Sequence, residues 1–226
     1  AIILSHAHLD HVGLIPYLYK MGYRGPVYMT PPSRDIAALL SLDFIGVAYK
    51  QAATPLFSSQ DVTEMVKHSI CVGNNEVTDI TPDVRLTFYN SGHCLGSSMV
   101  HLNIGNGAHN LLYCADFKYD KSRLLDPAVN IFPRVETVIT ESTYGSKNDV
   151  LPTRQKAEEE LIEIIKKTIE RKGKVLIPEL GLGRAQETML ILEDAMKSGK
   201  LPQIPIYIDG MIWDINAIHT VYPDFL

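Results

Sequence analysis

The chain contains 226 residues, of which 46% are hydrophobic and 21% are charged, as is usual for a soluble globular protein. No apolar run approaches the roughly 20 residues that a membrane-spanning helix needs, which excludes the membrane classes. The formal net charge of −5 argues against a broad basic surface for nucleic acid. Phosphate chemistry at a metal centre stays open, because bound cations set the local charge there. Three cysteines without a CxxC pair argue against a disulfide framework and favour a cytoplasmic protein.

Up to about residue 145, short β-rich segments alternate with helical patterns. Gly, Asn and Pro separate the apolar segments, which is typical of strands joined by turns. The mixture of strands and helices predicts an α/β domain. The chain begins within an apolar segment and is therefore expected to be a fragment. The predicted strands are Ala1–Ser5, Val27–Met29, Ser69–Val72, Arg85–Tyr89, Met99–Ile104, Leu111–Ala115 and Thr137–Thr140, and the predicted helices are His11–Met21, Ser33–Asp43 and Ser59–His68.

Near residue 150 the pattern changes to longer helices. Thr153–Lys172 has apolar residues on one broad face and Glu and Lys on the other, which predicts an amphipathic helix. Further helices are predicted at Arg184–Lys197 and Ile212–Val221, with strands at Lys174–Ile177 and Ile204–Ile208 between the helices. Helices and strands that alternate at this spacing predict a parallel sheet with crossover helices.

The stretch SHAHLDH, from Ser5 to His11, directly follows the first apolar segment and holds three histidines and an aspartate. Imidazole nitrogen and carboxylate oxygen both bind zinc. His6 and His8 point the same way if this segment is extended. Asp10 and His11 follow where the strand should turn into a helix. His6 and His8 can therefore reach one ion, while Asp10 and His11 reach a second. The crowding predicts a two-metal site.

Two later segments could complete the ligand set. His93 lies in a glycine-flanked turn, in the stretch NSGHCLGSS, where small neighbours let the backbone approach an ion closely. Asp116 ends an apolar strand in the stretch YCADF. A carboxylate there either caps the next turn or bridges two ions. Beside the SHAHLDH motif, we interpret both residues as metal ligands.

With these three segments in order, the chain resembles the metallo-β-lactamase fold family. SHAHLDH looks like its signature metal motif, GHCLGS like the next histidine motif, and ADF like the bridging aspartate motif. TESTYG at positions 140–145 resembles the first motif of the β-CASP nucleases, and GRAQE and DGMIW look like segments of their inserted domain. The likeness is greatest to archaeal homologues of the endonuclease subunit of the cleavage and polyadenylation specificity factor, of the type with KH domains ahead of the catalytic region.

The resemblance implies a metallo-β-lactamase αββα sandwich, truncated at its N-terminus, in residues 1–145. It implies part of an inserted β-CASP domain, with a parallel sheet and crossover helices, in residues 146–226. It also implies two zinc ions as cofactors. The implied metal ligands are His6, His8 and His93 for one ion, Asp10 and His11 for the other, and Asp116 as the bridge.

Asp10 and Glu141 are the catalytic residues that the resemblance implies, Glu141 by orienting a histidine that acts as general acid. In the family that histidine, and a further zinc-binding histidine, come from motifs beyond the inserted domain. This span alone is therefore expected to be nearly inactive. Arg184, near the Gly181–Gly183 turn, is a candidate substrate-binding residue, with a structural arginine paired to a carboxylate as the alternative.

The implied activity is that of a zinc-dependent endoribonuclease in RNA 3′-end processing or transcription termination, with 5′–3′ exonuclease activity left open. Its expected partners are single-stranded RNA and a second copy of the protein, bound through regions outside this span. Two alternatives remain: a metallo-hydrolase of a small ester or thioester, and a catalytically inactive scaffold subunit.

Overall fold

The computed structural model describes all residues from 1 to 226, and the chain forms two compact units. The first unit contains residues 1–141 and 218–226, and the second contains residues 142–217. The strands are β1 (Ile2–Ile3), β2 (Val27–Met29), β3 (Ser69–Cys71), β4 (Val77–Thr81), β5 (Val84–Asn90), β6 (Ser98–Ile104), β7 (His109–Tyr113) and β8 (Thr137–Ile139). The helices are α1 (Leu9–Val12), α2 (Ile15–Lys20), α3 (Pro31–Lys50), α4 (Ser59–Lys67), α5 (Arg154–Glu170), α6 (Arg184–Lys197) and α7 (Ile212–Val221), followed by a 3₁₀ turn at Pro223–Phe225.

Two sheets form the frame of the first unit. In one sheet, β1, β2 and β3 lie side by side and run parallel. Parallel neighbours need crossover connections, and α1 to α4 lie within these connections. The other sheet has the order β4-β5-β6-β7-β8, antiparallel except for the parallel pair β7 and β8. The predicted α/β class is confirmed.

An apolar core joins the two sheets. Adjacent positions of β6 belong to different apolar clusters, since Val100 packs in the core with Tyr28 and Met99 packs with Leu112 on the opposite face. This alternation follows from the period of two in a strand. The segment 117–135 covers that opposite face with side chains such as Phe132. The buried side chains of the core between the sheets are Tyr28, Val72, Leu86, Phe88 and Val100.

The predicted helix His11–Met21 is wrong in its extent, because the structure has α1 and α2 in its place. Pro16 has no N–H to donate to the carbonyl of Val12, so the hydrogen-bond ladder stops and a new helix begins with Pro16 in its first turn. The first helix also begins earlier than predicted, at Leu9. Its first turn therefore contains both Asp10 and His11.

The long helix α3 extends well beyond the predicted Ser33–Asp43. It begins where the Thr30 hydroxyl accepts a hydrogen bond from the N–H of Ser33, and prolines suit its first turn. No helix of the structure combines the length and the apolar character that crossing a bilayer demands. Strand β4 was not predicted, because its sequence VTDIT is largely polar, in keeping with its place at the edge of a sheet.

In the second unit α5 and α6 pack through an apolar cluster that includes Ile165 and Leu192. The predicted strands at Lys174–Ile177 and Ile204–Ile208 are wrong, because neither segment is paired in a sheet. Leu176 is 91% exposed and so packs against no neighbouring layer, and Pro205 removes a backbone donor from the second segment. The assignment of residues 146–226 to a β-CASP domain stays a prediction.

Candidate metal centre

Ligand-type side chains from three separate segments meet near the ends of strands in the first unit. The SHAHLDH segment follows β1, His93 lies between β5 and β6, and Asp116 follows β7. One potential ligand atom from each of four residues lies within 4.8 Å of the others, and these residues are His6, His8, His93 and Asp116. The structure thus brings together residues that are far apart in sequence.

The backbone changes from extended to helical within the SHAHLDH segment. His8 is the residue before α1, with φ −57° and ψ 145°. Its carbonyl accepts hydrogen bonds of 2.9 Å from the N–H groups of His11 and Val12. His6 and His8 therefore lie on the extended side of the turn, and Asp10 and His11 on the helical side.

The distances between the donor atoms suit a divalent ion. Nε2 of His93 is 3.1 Å from Nδ1 of His8 and 3.5 Å from Oδ2 of Asp116, and Nε2 of His6 is 3.7 Å from the same oxygen. Tetrahedral zinc with bonds of about 2.0–2.1 Å places its ligand atoms roughly 3.3 Å apart. Nε2 of His6 is also buried without a hydrogen-bond partner, although buried polar atoms are normally paired. The donor set fits zinc.

The two carboxylate oxygens of Asp116 face different groups of side chains. Oδ2 lies near His6 and His93, whereas Oδ1 is 3.7 Å from Nε2 of His11. The same nitrogen of His11 is 3.5 Å from Oδ2 of Asp10, whose side chain is 77% exposed. The carboxylate of Asp116 therefore stands between His6 and His93 on one side and His11 with Asp10 on the other.

Electrostatics keep the buried histidines in the form that binds metal. Burial, together with the neighbouring imidazoles of His11, His93 and His8, lowers the pKa of His6 from 6.5 to about 2. Burial also lowers the pKa of His93, assisted by His8 and opposed by the negative charges of Asp116 and Glu141. A neutral imidazole has a free lone pair, which is what a metal ion requires.

Two features that hold the site were not predicted from the sequence. The hydroxyl of Ser5 lies 3.2 Å from Nδ1 of His6, so this contact occupies one ring nitrogen and leaves Nε2 for the cluster. Ala115 adopts a positive φ of 50°, which directs the chain sharply at the residue before Asp116. The only signal in the sequence was that Ser5 and Ala115 each precede a ligand-type residue.

Glu141 lies close to the cluster and Arg184 belongs to the second unit. Oε1 of Glu141 accepts a hydrogen bond of 3.2 Å from the N–H of Phe117, the residue after Asp116. Arg184 is the first residue of α6, and its side chain is exposed. The structure thus brings Glu141 to the site, while a substrate contact by Arg184 stays a prediction.

Comparison with known proteins agrees with this geometry. Residues 1–143 match the model of the metallo-beta-lactamase superfamily domain. Over all 226 residues the chain is 53% identical to the transcription termination factor FttA of Methanothermobacter thermautotrophicus, 52% to that of Thermococcus kodakarensis and 51% to that of a Lokiarchaeum species. It spans 35–36% of the length of these archaeal relatives.

Proposed function

Because the chain belongs to the metallo-β-lactamase superfamily and gathers its ligand-type residues around one carboxylate, we propose that it forms the two-zinc centre of an RNA phosphodiester hydrolase. The observation that carries this proposal is the position of Asp116, with one oxygen toward each ligand group. Two-metal hydrolases use such a shared ligand to hold two ions about 3.5–4 Å apart. The proposed ligands are those predicted from the sequence: His6, His8, Asp10, His11, His93 and Asp116.

The RNA substrate is inferred from the relatives, whose name assigns them to transcription termination. A phosphodiester hydrolase that acts during termination would cut the transcript, so single-stranded RNA is the proposed substrate. The chain carries a net charge of −5 and therefore offers little general attraction for RNA. Affinity would have to come from the metal centre and from other parts of the protein.

In this proposal the residues have distinct tasks. Bound zinc ions would supply Lewis-acid activation of water and charge stabilisation on the phosphoryl oxygens. His6, His8 and His93 would hold one ion, and the lowered pKa values of His6 and His93 keep those two imidazoles neutral. Asp10 has a largely exposed side chain, so a phosphate group can approach on the side of Asp10 and His11.

Glu141 is the second proposed catalytic residue. Its backbone contact at Phe117 holds its carboxylate beside the metal centre. A carboxylate in that place can orient the imidazole of a general acid, which the family resemblance assigns to a histidine outside this span. A general acid typically contributes about 10²–10⁴-fold in rate.

The test uses the complete gene product that contains this chain, with end-labelled single-stranded RNA. Zinc-loaded wild type is compared with chelated wild type, with Asp116→Asn and with Asp79→Asn as a matched control. Asp79 is an exposed carboxylate on β4, at the far edge of the second sheet. Internal cuts are expected for zinc-loaded wild type and Asp79→Asn, and loss of cutting for the other two.

Other results would redirect the assignment. No cutting by a wild type that binds two zinc ions would leave the metal centre in place and move the substrate to a small ester or thioester. No cutting and no zinc binding would indicate a scaffold subunit.

A further inference from the structure

The loop that carries His93 is held by a buried hydroxyl group outside the ligand set. Ser97 is 1% exposed. Its Oγ accepts a hydrogen bond of 3.1 Å from the N–H of His93 and one of 3.0 Å from the N–H of Cys94. The hydroxyl of Ser91 donates a further hydrogen bond of 2.8 Å to Oγ of Ser97. Oγ of Ser97 thus links the hydroxyl of Ser91 to the backbone N–H groups of His93 and Cys94.

The same loop is closed on itself and fixed to a long helix. The N–H of Ser97 donates to the carbonyl of Cys94 at 2.9 Å, and the N–H of Ser91 donates to the carbonyl of Ser97 at 3.2 Å. The carbonyl of Gly96 accepts hydrogen bonds from the hydroxyls of Thr30 at 2.7 Å and Ser33 at 3.0 Å, at the start of α3. Little freedom therefore remains for the backbone of His93.

We propose that Ser97 is a positioning residue for the metal centre, which acts by fixing the backbone of His93. Its bonds keep Nε2 of His93 3.1 Å from Nδ1 of His8 and 3.5 Å from Oδ2 of Asp116. This inference rests on the proposed function, since it requires His93 to bind an ion.

The effect of Ser97 is confined to one side of the centre. Asp10 and His11 belong to α1 and are placed by the turn after β1. Without the Ser97 hydroxyl, two buried N–H groups lose their acceptor and the loop must shift to find another. His93 moves with it, whereas none of the hydrogen bonds of this loop described above involves Asp10 or His11. The ion held by the three histidines is the one that Ser97 supports.

The experiment measures metal binding by the complete gene product, independently of activity. Zinc is titrated against a chromophoric chelator, and the visible absorption bands of the cobalt-substituted protein report the coordination geometry. Ser97→Ala is compared with Ser97→Thr, which keeps the hydroxyl. The matched control is Ser98→Ala: Ser98 is equally buried, and its hydroxyl donates to Oδ1 of Asn74 rather than to the His93 loop.

Ser97→Ala is expected to weaken the binding of one of the two ions by roughly 10–100-fold and to change the cobalt bands. Ser97→Thr restores both, and Ser98→Ala leaves both as in the wild type. Equal affinities and bands for Ser97→Ala and wild type would overturn the proposal, as would an equal loss in Ser98→Ala. A wild type that binds no metal would instead refute the proposed function.

A variant of Ser91 covers the case in which Ser97→Ala does not fold. Ser91→Ala removes the hydrogen bond that Ser91 donates to Oγ of Ser97 and leaves both backbone N–H groups paired. A smaller weakening of the same ion is expected. Unchanged affinity for both ions in a folded Ser91→Ala protein would contradict the role of Ser97.

Discussion

Single residues decide which atoms of the metal centre face each other. The six ligand-type residues were predicted from the sequence because four of them lie within six positions and their chemistry is explicit. The supporting hydroxyls of Ser5 and Ser97 could not be predicted in this way. Serine occurs throughout the chain, and only the folded backbone shows which hydroxyl faces His6 or the His93 loop.

Replacing Ser5 by Ala should weaken metal binding by roughly 10–100-fold, because Nδ1 of His6 loses the partner that fixes the tautomer and ring orientation. Zinc affinity and the imidazole nitrogen shifts in NMR spectra check this. Ser41→Ala is the control, since the Ser41 hydroxyl is buried without a hydrogen-bond partner. A Ser5→Ala protein with unchanged affinity and unchanged shifts would show that the contact does not orient His6.

The depressed pKa of His6 predicts how stability depends on pH in the metal-free protein. In the unfolded chain His6 has its ordinary pKa of 6.5 and binds a proton below that pH. In the folded chain its pKa is about 2, so His6 stays neutral until the pH falls to that value. Stability is therefore fully present above pH 6.5 and falls as the pH falls, by at most about 1.4 kcal/mol per pH unit for this residue. His93 acts in the same direction.

Urea unfolding of the chelated protein between about pH 7 and pH 5 measures this slope, in a range where histidine is the main side chain that titrates. A His6→Asn variant provides the comparison. Its free energy of unfolding should depend less steeply on pH, and a slope equal to that of wild type would contradict the assigned pKa.

Helices and strands position the ligand-type residues, because each element begins and ends at a defined residue. The helices α6 and α7 match their predicted ranges. Helix α5 differs from its predicted range by one or two residues at its ends, and its amphipathic pattern marks it in the sequence. The break between α1 and α2 and the edge strand β4 were missed, because they depend on a single proline and on a neighbouring strand. The local sequence pattern thus predicts helices better than it predicts the pairing of strands.

The turn between His93 and β6 requires glycine at position 96. Gly96 has a φ of 75°, and a Cβ atom there would lie 2.8 Å from both Cβ of Pro32 and Oγ1 of Thr30. Gly96→Ala should destabilise the fold by about 1–3 kcal/mol from backbone strain alone, with the close contacts adding to the loss. Thermal unfolding gives the difference.

The control for this change is Gly46→Ala, inside α3. Open space surrounds a Cβ atom at Gly46. Alanine in a helix interior should stabilise the protein by roughly 0.5–1 kcal/mol. The two substitutions thus have opposite expected signs, and a stable Gly96→Ala protein would show that the turn can relax without the positive φ.

At the scale of the whole molecule, the two units differ in how completely their apolar segments are paired. Strands of the first unit lie in sheets, whereas Lys174–Ile177 and Ile204–Ile208 of the second unit have no strand partner. Exposed apolar residues gather there, such as Leu176 at 91% and Tyr207 at 90%. The sequence predicted strands at these segments from composition, but a strand forms only when a neighbour supplies the ladder.

Hydrogen exchange should separate these regions. In the 226-residue chain, the amides of residues 174–177 and 204–208 are expected to exchange much faster than those of β5 and β6, which have ladder bonds on both sides. In the complete gene product, protection should appear at both segments if they join the proposed β-CASP sheet. Equal protection in the short chain would show that they are already paired.

The meeting of distant segments at the metal centre also gives a bound ion a mechanical part in the fold. His8 and His93, 85 positions apart, supply nitrogens 3.1 Å from each other; His8 follows β1 of one sheet, and His93 lies between β5 and β6 of the other. An ion held by both would tie the sheets together at their rim, as a covalent cross-link would. A permanent link closing a loop of this length removes roughly 4–5 kcal/mol of chain entropy from the unfolded state. Chelation would then remove a cross-link between the two sheets as well as the metal of the proposed catalytic site.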